Sequence, residues 1–276
     1  MTDSSGLEET DPFAKLKLAS FLPLEKLEGR SKCSACEASR KFFCYTCYLP
    51  VDKLIGRIPA VEIPFQLDVI KHPLEVDGKS TAVHAAVLAP KQVQLYTYPC
   101  IPEYKDPSKV LLVYPSESAK TITEILDQEE RAKTGLDSDS EEATPPACKK
   151  TKKDPKQTAI PFERIIFIDS TWSQSKKIFN DERLRDLPCV ILAEQKTFFW
   201  RSQDKEDNYL ATIEAIYYFL VELFNLTSDL QYAGQYDNLM YFFVYMYRMV
   251  QKQKKNYIKI HKKKQKKTAT HEAGVS

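Results

Sequence analysis

Cys33, Cys36, Cys44 and Cys47 stand as two C-x2-C pairs separated by seven residues. Each pair can offer two thiolates to one ion, and four sulfurs so spaced are the usual donor set of a tetrahedral Zn2+ site, with only a short turn needed between the pairs. Lys32, Arg40 and Lys41 lie close by in the chain and would offset thiolate charge. No open coordination position is implied, so the expected metal is structural. The competing reading is that the cysteines are small buried hydrophobes. Cys100, Cys148 and Cys189 lack the pairing and are expected to be inert.

A second constellation lies in "IIFIDSTWSQSKKIF", Ile165 to Phe179. Ile165, Ile166, Phe167 and Ile168 form a continuous apolar run, which suits a central strand covered on both faces. The run ends at Asp169-Ser170-Thr171-Trp172, where Thr171 and Gln174 have the Thr-x-x-Gln spacing of a helix start. In open α/β sheets, ligands sit beyond the carboxyl ends of the strands, and free amides at a helix N-terminus favour an anionic group. Asp169 and Trp172 are therefore expected to line a pocket.

The elements that must position these residues can be read from pattern. "DVIKHP", "VQLYTYP", "KVLLVYPS", "RIIFIDST" and "PCVILAEQ" each look like a strand running into a loop. Helical segments fall between several of them, as in "STAVHAAVLAP" and "SAKTITEILDQEE", so the expected fold is α/β with much parallel pairing. Leu210, Ile213, Tyr217, Leu220 and Phe224 recur at helical spacing. "LMYFFVYMY", Leu239 to Tyr247, is far shorter than the roughly 20 residues that cross a bilayer and reads as a buried helix.

Charge is distributed unevenly. The chain of 276 residues is 43% hydrophobic and carries a formal net charge of +2, so attraction to nucleic acid depends on where the charges lie. Residues 1–29 are expected to be disordered or loosely ordered, and 129–157, with an acidic half, a Pro-Pro pair and a basic half, to be a disordered insertion in a domain spanning 51–250. The lysine-rich tail, 251–276, reads as a solvated, mobile extension, or as a nuclear-import or RNA-attracting segment. The amino end lacks the basic-then-apolar order of a secretory signal, so a chain retained inside the cell is expected. Seven cysteines in a reducing compartment then argue for metal ligation or burial rather than disulfides.

Asp169-Ser170-Thr171-Trp172 matches the D-x-T-W signature of the DTW-domain family, and other segments agree. "KHPLEVDGKST" resembles the family's His-Pro-x-Glu segment, "VYPSES" its strand-end Pro-Ser loop, and "LATIEA" its late Thr-x-Glu helix start. The paired cysteines, "YPCIPEY" and "GQYDNL" are similar to eukaryotic members, and the likeness runs from about residue 30 to 250. The acidic-basic insertion departs from the compact bacterial members, without touching the expected pocket.

The resemblance implies a SPOUT-like α/β fold with a deep trefoil knot, S-adenosylmethionine as donor and a D-loop uridine of tRNA as acceptor. The implied product is 3-(3-amino-3-carboxypropyl)uridine, acp3U, with methylthioadenosine released. On that footing Tyr114-Pro115-Ser116, Ile168-Asp169-Ser170, Leu192-Ala193-Glu194 and Ala211-Thr212 are expected to surround the donor, with Thr171 at the helix start. Trp172 would offer a surface near the sulfonium, or fill the core. Thr212 would hold the donor's carboxylate, and Glu214 its amino group, unless Glu214 only stabilises the helix. Asp169 is the candidate base for the uridine N3 proton; alternatively it only fixes the turn. His72, Lys79 and Arg201 are candidate RNA contacts, with His72 as a turn residue and Arg201 as an ordinary surface arginine the bland readings. A SPOUT-type RNA methyltransferase and a non-catalytic zinc-containing tRNA-binding protein are the alternative functions. A monomer is expected.

Overall fold

Five of the apolar runs pair into one sheet in the computed structural model, which describes residues 11–134, 160–200 and 209–272, with the side chains of 133, 134, 172 and 258–272 left aside. The strands are β3 (Gln66–Lys71), β4 (Val93–Thr97), β5 (Val110–Val113), β6 (Arg164–Asp169) and β7 (Cys189–Val190), in the order β4-β3-β6-β5-β7 with every neighbouring pair parallel. A separate two-stranded antiparallel ribbon, β1 (Ser31–Lys32) and β2 (Ser39–Arg40), belongs to the cysteine segment. In the large sheet β6 enters the chain after β3 and β5 yet lies between them. Parallel pairing aligns the carboxyl ends of all five strands along one edge.

The apolar run of β6 is central because it is apolar on both sides. Ile165 and Phe167 face one core layer and Ile166 the other, all within 2% of complete burial. Complete burial of a side chain of this size stabilises by about 1.5–3 kcal/mol. Helices α2 (Ala82–Leu88) and α5 (Thr212–Thr227) cover the first face, where Phe167 meets Phe219 edge-on at 5.8 Å. On the second face, α4 (Trp172–Phe179) supplies Ile178, with Leu184 and Leu187 from the segment after it. Both faces of a mostly parallel sheet are thus closed, as the alternating pattern predicts.

Three regions differ from the sequence reading. The segment before the cysteines, expected to be loose through residue 29, is packed from its first described residues. Phe13 is buried among Phe198, Phe243 and Tyr247, and Leu24 in α1 (Leu22–Glu25) is buried as well. Lys17 and Ala19 donate their backbone N–H groups to the side chains of Asp237 and Asn238. The stretch is irregular, so no period announces it. At the front of the expected insertion, residues 129–134 continue α3 (Ile122–Thr134), while 135–157 lie outside the described residues.

The tail is the third difference. α6 runs from Tyr241 to Glu272, about 48 Å at the helical rise. Its first residues are the buried aromatic run expected to be helical, and the lysine-rich portion continues the same helix instead of leaving it as a loose extension. The segment contains no glycine or proline, and Lys and Gln are good helix formers. Among the described residues no helix is long and apolar enough to cross a membrane.

Candidate active site

The carboxyl edge of the sheet opens into a cavity of about 530 Å3. Its walls are Val113–Pro115 after β5, Phe167, Ile168 and Ser170 at the end of β6, Val190–Gln195 after β7, and Tyr209, Leu210, Thr212 and Ala215 at the start of α5. The three strand ends and the helix start expected from sequence therefore meet around one space. Pocket volumes of about 300–1,000 Å3 suit small-molecule ligands, so this space is of the right size for one.

Of the residues expected to hold the donor, Pro115, Leu192 and Thr212 line the cavity. Ser116 and Thr171 do not. The Ser116 hydroxyl lies 3.3 Å from Ser118, and Thr171 is the N-cap of α4, its N–H donating to Gln174 Oε1 at 3.3 Å. Trp172 begins α4, but its side chain lies outside the described set, as does all of Arg201.

Asp169 ends β6 with its side chain turned to the side of the sheet that carries α2 and α5. It is 6% exposed, and both of its oxygens are engaged: Ser80 Oγ donates to Oδ2 at 2.5 Å, and Thr212 Oγ1 donates to Oδ1. Burial pushes the carboxyl above its ordinary range, while those two hydroxyls and the nearby Lys71 ammonium pull the other way. The carboxylate stands directly behind Thr212, which faces the cavity. Lys71, at the end of β3, is itself buried and is paired with Asp77 of the following loop.

Glu214 has a different place from the one expected. It is fully buried, and its carboxylate accepts Thr197 Oγ1 at 2.6 Å, Phe198 N at 2.8 Å and Ala211 N at 2.8 Å. It ties the 194–200 loop to the first turn of α5 and does not line the cavity. Burial raises its carboxyl too, opposed by the same three donors. Glu214 is the N3 residue of its helix, a capping position visible in "LATIEA".

His72 is buried in the turn after β3, where its N–H donates to Asp169 O at 3.1 Å and its Nδ1 accepts Leu74 N at 3.2 Å. The turn reading fits this geometry. Lys79 is exposed on the same loop. Sequence reading missed Lys71 and Asp77, although a lysine closing an apolar strand was the available signal. It also missed Ser175, whose hydroxyl approaches that of the expected Tyr114 to 3.5 Å at the cavity wall. Nothing in the sequence pairs those two.

The four cysteines converge as expected. The sulfurs of Cys33, Cys36, Cys44 and Cys47 all lie within 4.8 Å of one another, and Cys36 and Cys44 are 3.6 Å apart, so no disulfide joins them. A tetrahedral ion with bonds of about 2.3 Å separates its sulfurs by about 3.8 Å, so the donor set fits Zn2+. The two pairs are built alike. Cys36 is followed by Glu37 at φ 57° and Cys47 by Tyr48 at φ 59°, left-handed turns that fold each knuckle back on its first cysteine through Glu37 N to Cys33 O and Tyr48 N to Cys44 O. Burial alone would raise the Cys44 thiol, but the Arg40 guanidinium and backbone N–H donors prevail and hold it at about 6. The thiol of Cys36, with burial, pushes Cys47 up to about 12. A divalent cation among the four sulfurs would offset the mutual repulsion of clustered thiolates. Phe42 and Phe43 anchor the segment, the first edge-on to Tyr245 at 5.5 Å and the second 4.7 Å from Phe242.

Fold and site together define an α/β protein with a cavity at the carboxyl edge of a parallel sheet and a four-cysteine cluster whose geometry suits a metal ion. The chain belongs to the DTW domain family, whose model matches residues 41–251. It is 43% identical over 264 residues to tRNA-uridine aminocarboxypropyltransferase 1 of Mus musculus, covering 90% of this chain and 87% of the relative. The protein of the same name from Homo sapiens is also 43% identical, with 92% and 88% covered. tRNA-uridine aminocarboxypropyltransferase 2 of Mus musculus is 28% identical over 62% of this chain and 48% of its own length. No solved structure matches.

Proposed function

We propose that this protein transfers the 3-amino-3-carboxypropyl group of S-adenosylmethionine to N3 of a uridine in the D-loop of tRNA. The reaction forms one N–C bond to the donor's side-chain carbon, breaks that carbon's bond to sulfur, releases methylthioadenosine and frees the N3 proton. The observation that carries this reading is 43% identity, over nine-tenths of the chain, to relatives named as tRNA-uridine aminocarboxypropyltransferases. A cavity of about 530 Å3 at the family's signature corner supports it.

Selectivity for the side-chain carbon over the methyl group is then a matter of which carbon the walls present. Pro115, Leu192, Glu194 and Gln195 line the cavity, where their backbone groups would hold adenine and ribose, and the Thr212 N–H at the helix start would position the donor's carboxylate. Asp169 remains the proton acceptor, acting through Thr212: that hydroxyl takes the N3 proton as it passes its own to Oδ1. A carboxyl raised by burial is a stronger base than a free one, which suits the task. The cysteine cluster would hold a structural Zn2+. The reading extends to a SPOUT-type knotted topology, for which the placement of β6 between two earlier strands is suggestive support, to a monomeric chain, and to a nuclear address carried by the lysines of α6.

The test is incubation of the purified chain with S-adenosylmethionine and unmodified tRNA, followed by mass spectrometry of the nucleosides and the by-product. Methylthioadenosine with acp3U is the expected result. S-adenosylhomocysteine with a methylated base would replace the proposal by a methyltransferase, and tRNA binding without turnover by a non-catalytic binder.

A further inference from the structure

A second recess, of about 180 Å3, lies on the other side of Asp169. The cysteine segment forms one of its walls with Arg30, Arg40, Lys41 and Tyr45, and the loop after β3 another with Lys79 and Ser80. Phe199 and Trp200 also line it. The segment and the loop are in contact, since a Cβ placed on Gly78 would meet the Tyr45 ring at 3.7 Å. Ser80, which donates to Asp169 Oδ2, faces this recess, and Thr212, which donates to Oδ1, faces the large cavity. One carboxylate thus forms the partition between two openings.

The described lining of the small recess is mainly cationic. Among the described residues its only acidic lining residue is Asp77, which is paired with Lys71. The two arginines are fixed in advance: Arg30 donates to Ser39 O at 2.7 Å and Ser39 Oγ at 3.0 Å. Arg40 stacks on Tyr45 at 3.7 Å and donates to Cys44 Sγ at 3.4 Å and Thr46 Oγ1 at 3.3 Å. Preset cations lose less freedom when an anion binds. The space is well below the roughly 300 Å3 at which small-molecule pockets begin, so it takes a fragment of something larger.

We propose that this recess takes the sugar-phosphate strand next to the target uridine, making the four-cysteine segment an RNA-docking element that holds the strand beside the Asp169 partition while the uridine base itself enters the large cavity. The inference rests on the proposed function for the identity of the acceptor. RNA is favoured over an acidic peptide because aromatic rings, Tyr45 and Trp200, stand among the cations, and unpaired nucleotides are held by such rings with phosphate-binding arginines and lysines.

The experiment is a salt titration of tRNA binding by fluorescence anisotropy with the full-length, zinc-loaded chain and its Arg30→Gln, Lys41→Gln and double variants. Each phosphate contact removed should reduce the slope of log K against log [salt] by about 0.7–0.9, so the double variant should lose about 1.4–1.8 and bind several-fold more weakly at 0.1 M salt. Its melting temperature and its S-adenosylmethionine affinity should match those of the wild type. Unchanged slope and affinity in a double variant, beside a wild type that binds and modifies tRNA, overturns the docking assignment alone. A wild type that binds tRNA but releases no methylthioadenosine overturns the functional reading alone, because the slopes still report the docking face. A wild type that binds no tRNA overturns both.

Discussion

Thr212→Val keeps the shape of the residue and removes the hydroxyl that serves Asp169. The carboxylate retains Ser80 Oγ but loses its donor at Oδ1, in a position 6% exposed, where little water can replace it. A hydrogen bond to a charged group contributes about 1.5–3 kcal/mol, and one between neutral groups about 0.5–1.5 kcal/mol. At pH 7 the substitution should therefore cost about 1.5–3 kcal/mol in the native background and about 0.5–1.5 kcal/mol when Asp169 is already Asn. The difference, a coupling of about 1–1.5 kcal/mol, is roughly a tenfold change in the unfolding constant. Urea unfolding of the four proteins at pH 7 measures it. Thr212→Ser, which restores a hydroxyl, should recover the coupling and methylthioadenosine release together. Additivity of the two substitutions to within about 0.3–0.5 kcal/mol would refute the claim that Thr212 and Asp169 act as a unit.

Metal analysis of protein purified without added zinc should give one Zn2+ per chain, and Cys36→Ser should lower that content and expose residues 31–50 to limited proteolysis before the sheet. For Asp169 the sign of the pH effect is set by burial: a carboxyl raised in the folded state takes up protons on folding, so stability falls as pH rises from the unfolded carboxylate range, about 4, through the folded value. Asp169→Asn should make the decline between pH 4 and 7 shallower in urea unfolding, and an unchanged slope would show that the carboxyl is not raised. Asp237 accepts Lys17 N, Tyr217 Oη and Tyr232 Oη; Asp237→Ala strands at least two of these donors and should cost about 2–6 kcal/mol at about 1–3 kcal/mol each. Differential scanning calorimetry would show that loss, along with earlier proteolytic release of the amino-terminal segment.

Sequence alone determined the elements and their class. Each of the five strands in the large sheet was legible as an apolar-rich run ending in a loop: burial on both faces gives β6 an uninterrupted apolar stretch, whereas the edge strand β4 alternates apolar and polar residues. The two C-x2-C pairs likewise announced their convergence, since both ligands of each pair sit within one turn and need little help from the rest of the chain. The strand ends around the cavity were legible for the same reason: parallel pairing puts every carboxyl terminus on one edge.

Tertiary structure decided the partners. That Asp169 turns away from the large cavity to Ser80 and Thr212, residues 89 and 43 positions away, depends on which face of β6 α2 and α5 cover. Glu214 became a structural tie because the 194–200 loop brings Thr197 and Phe198 to it, and no local pattern encodes that meeting. The amino-terminal segment and the basic recess are likewise products of long-range packing: Phe13 against α6, and Arg40 across from Lys79. Periodicity reports which face of an element is buried, but a hydrogen bond between distant segments exists only once the sheet order has brought them together.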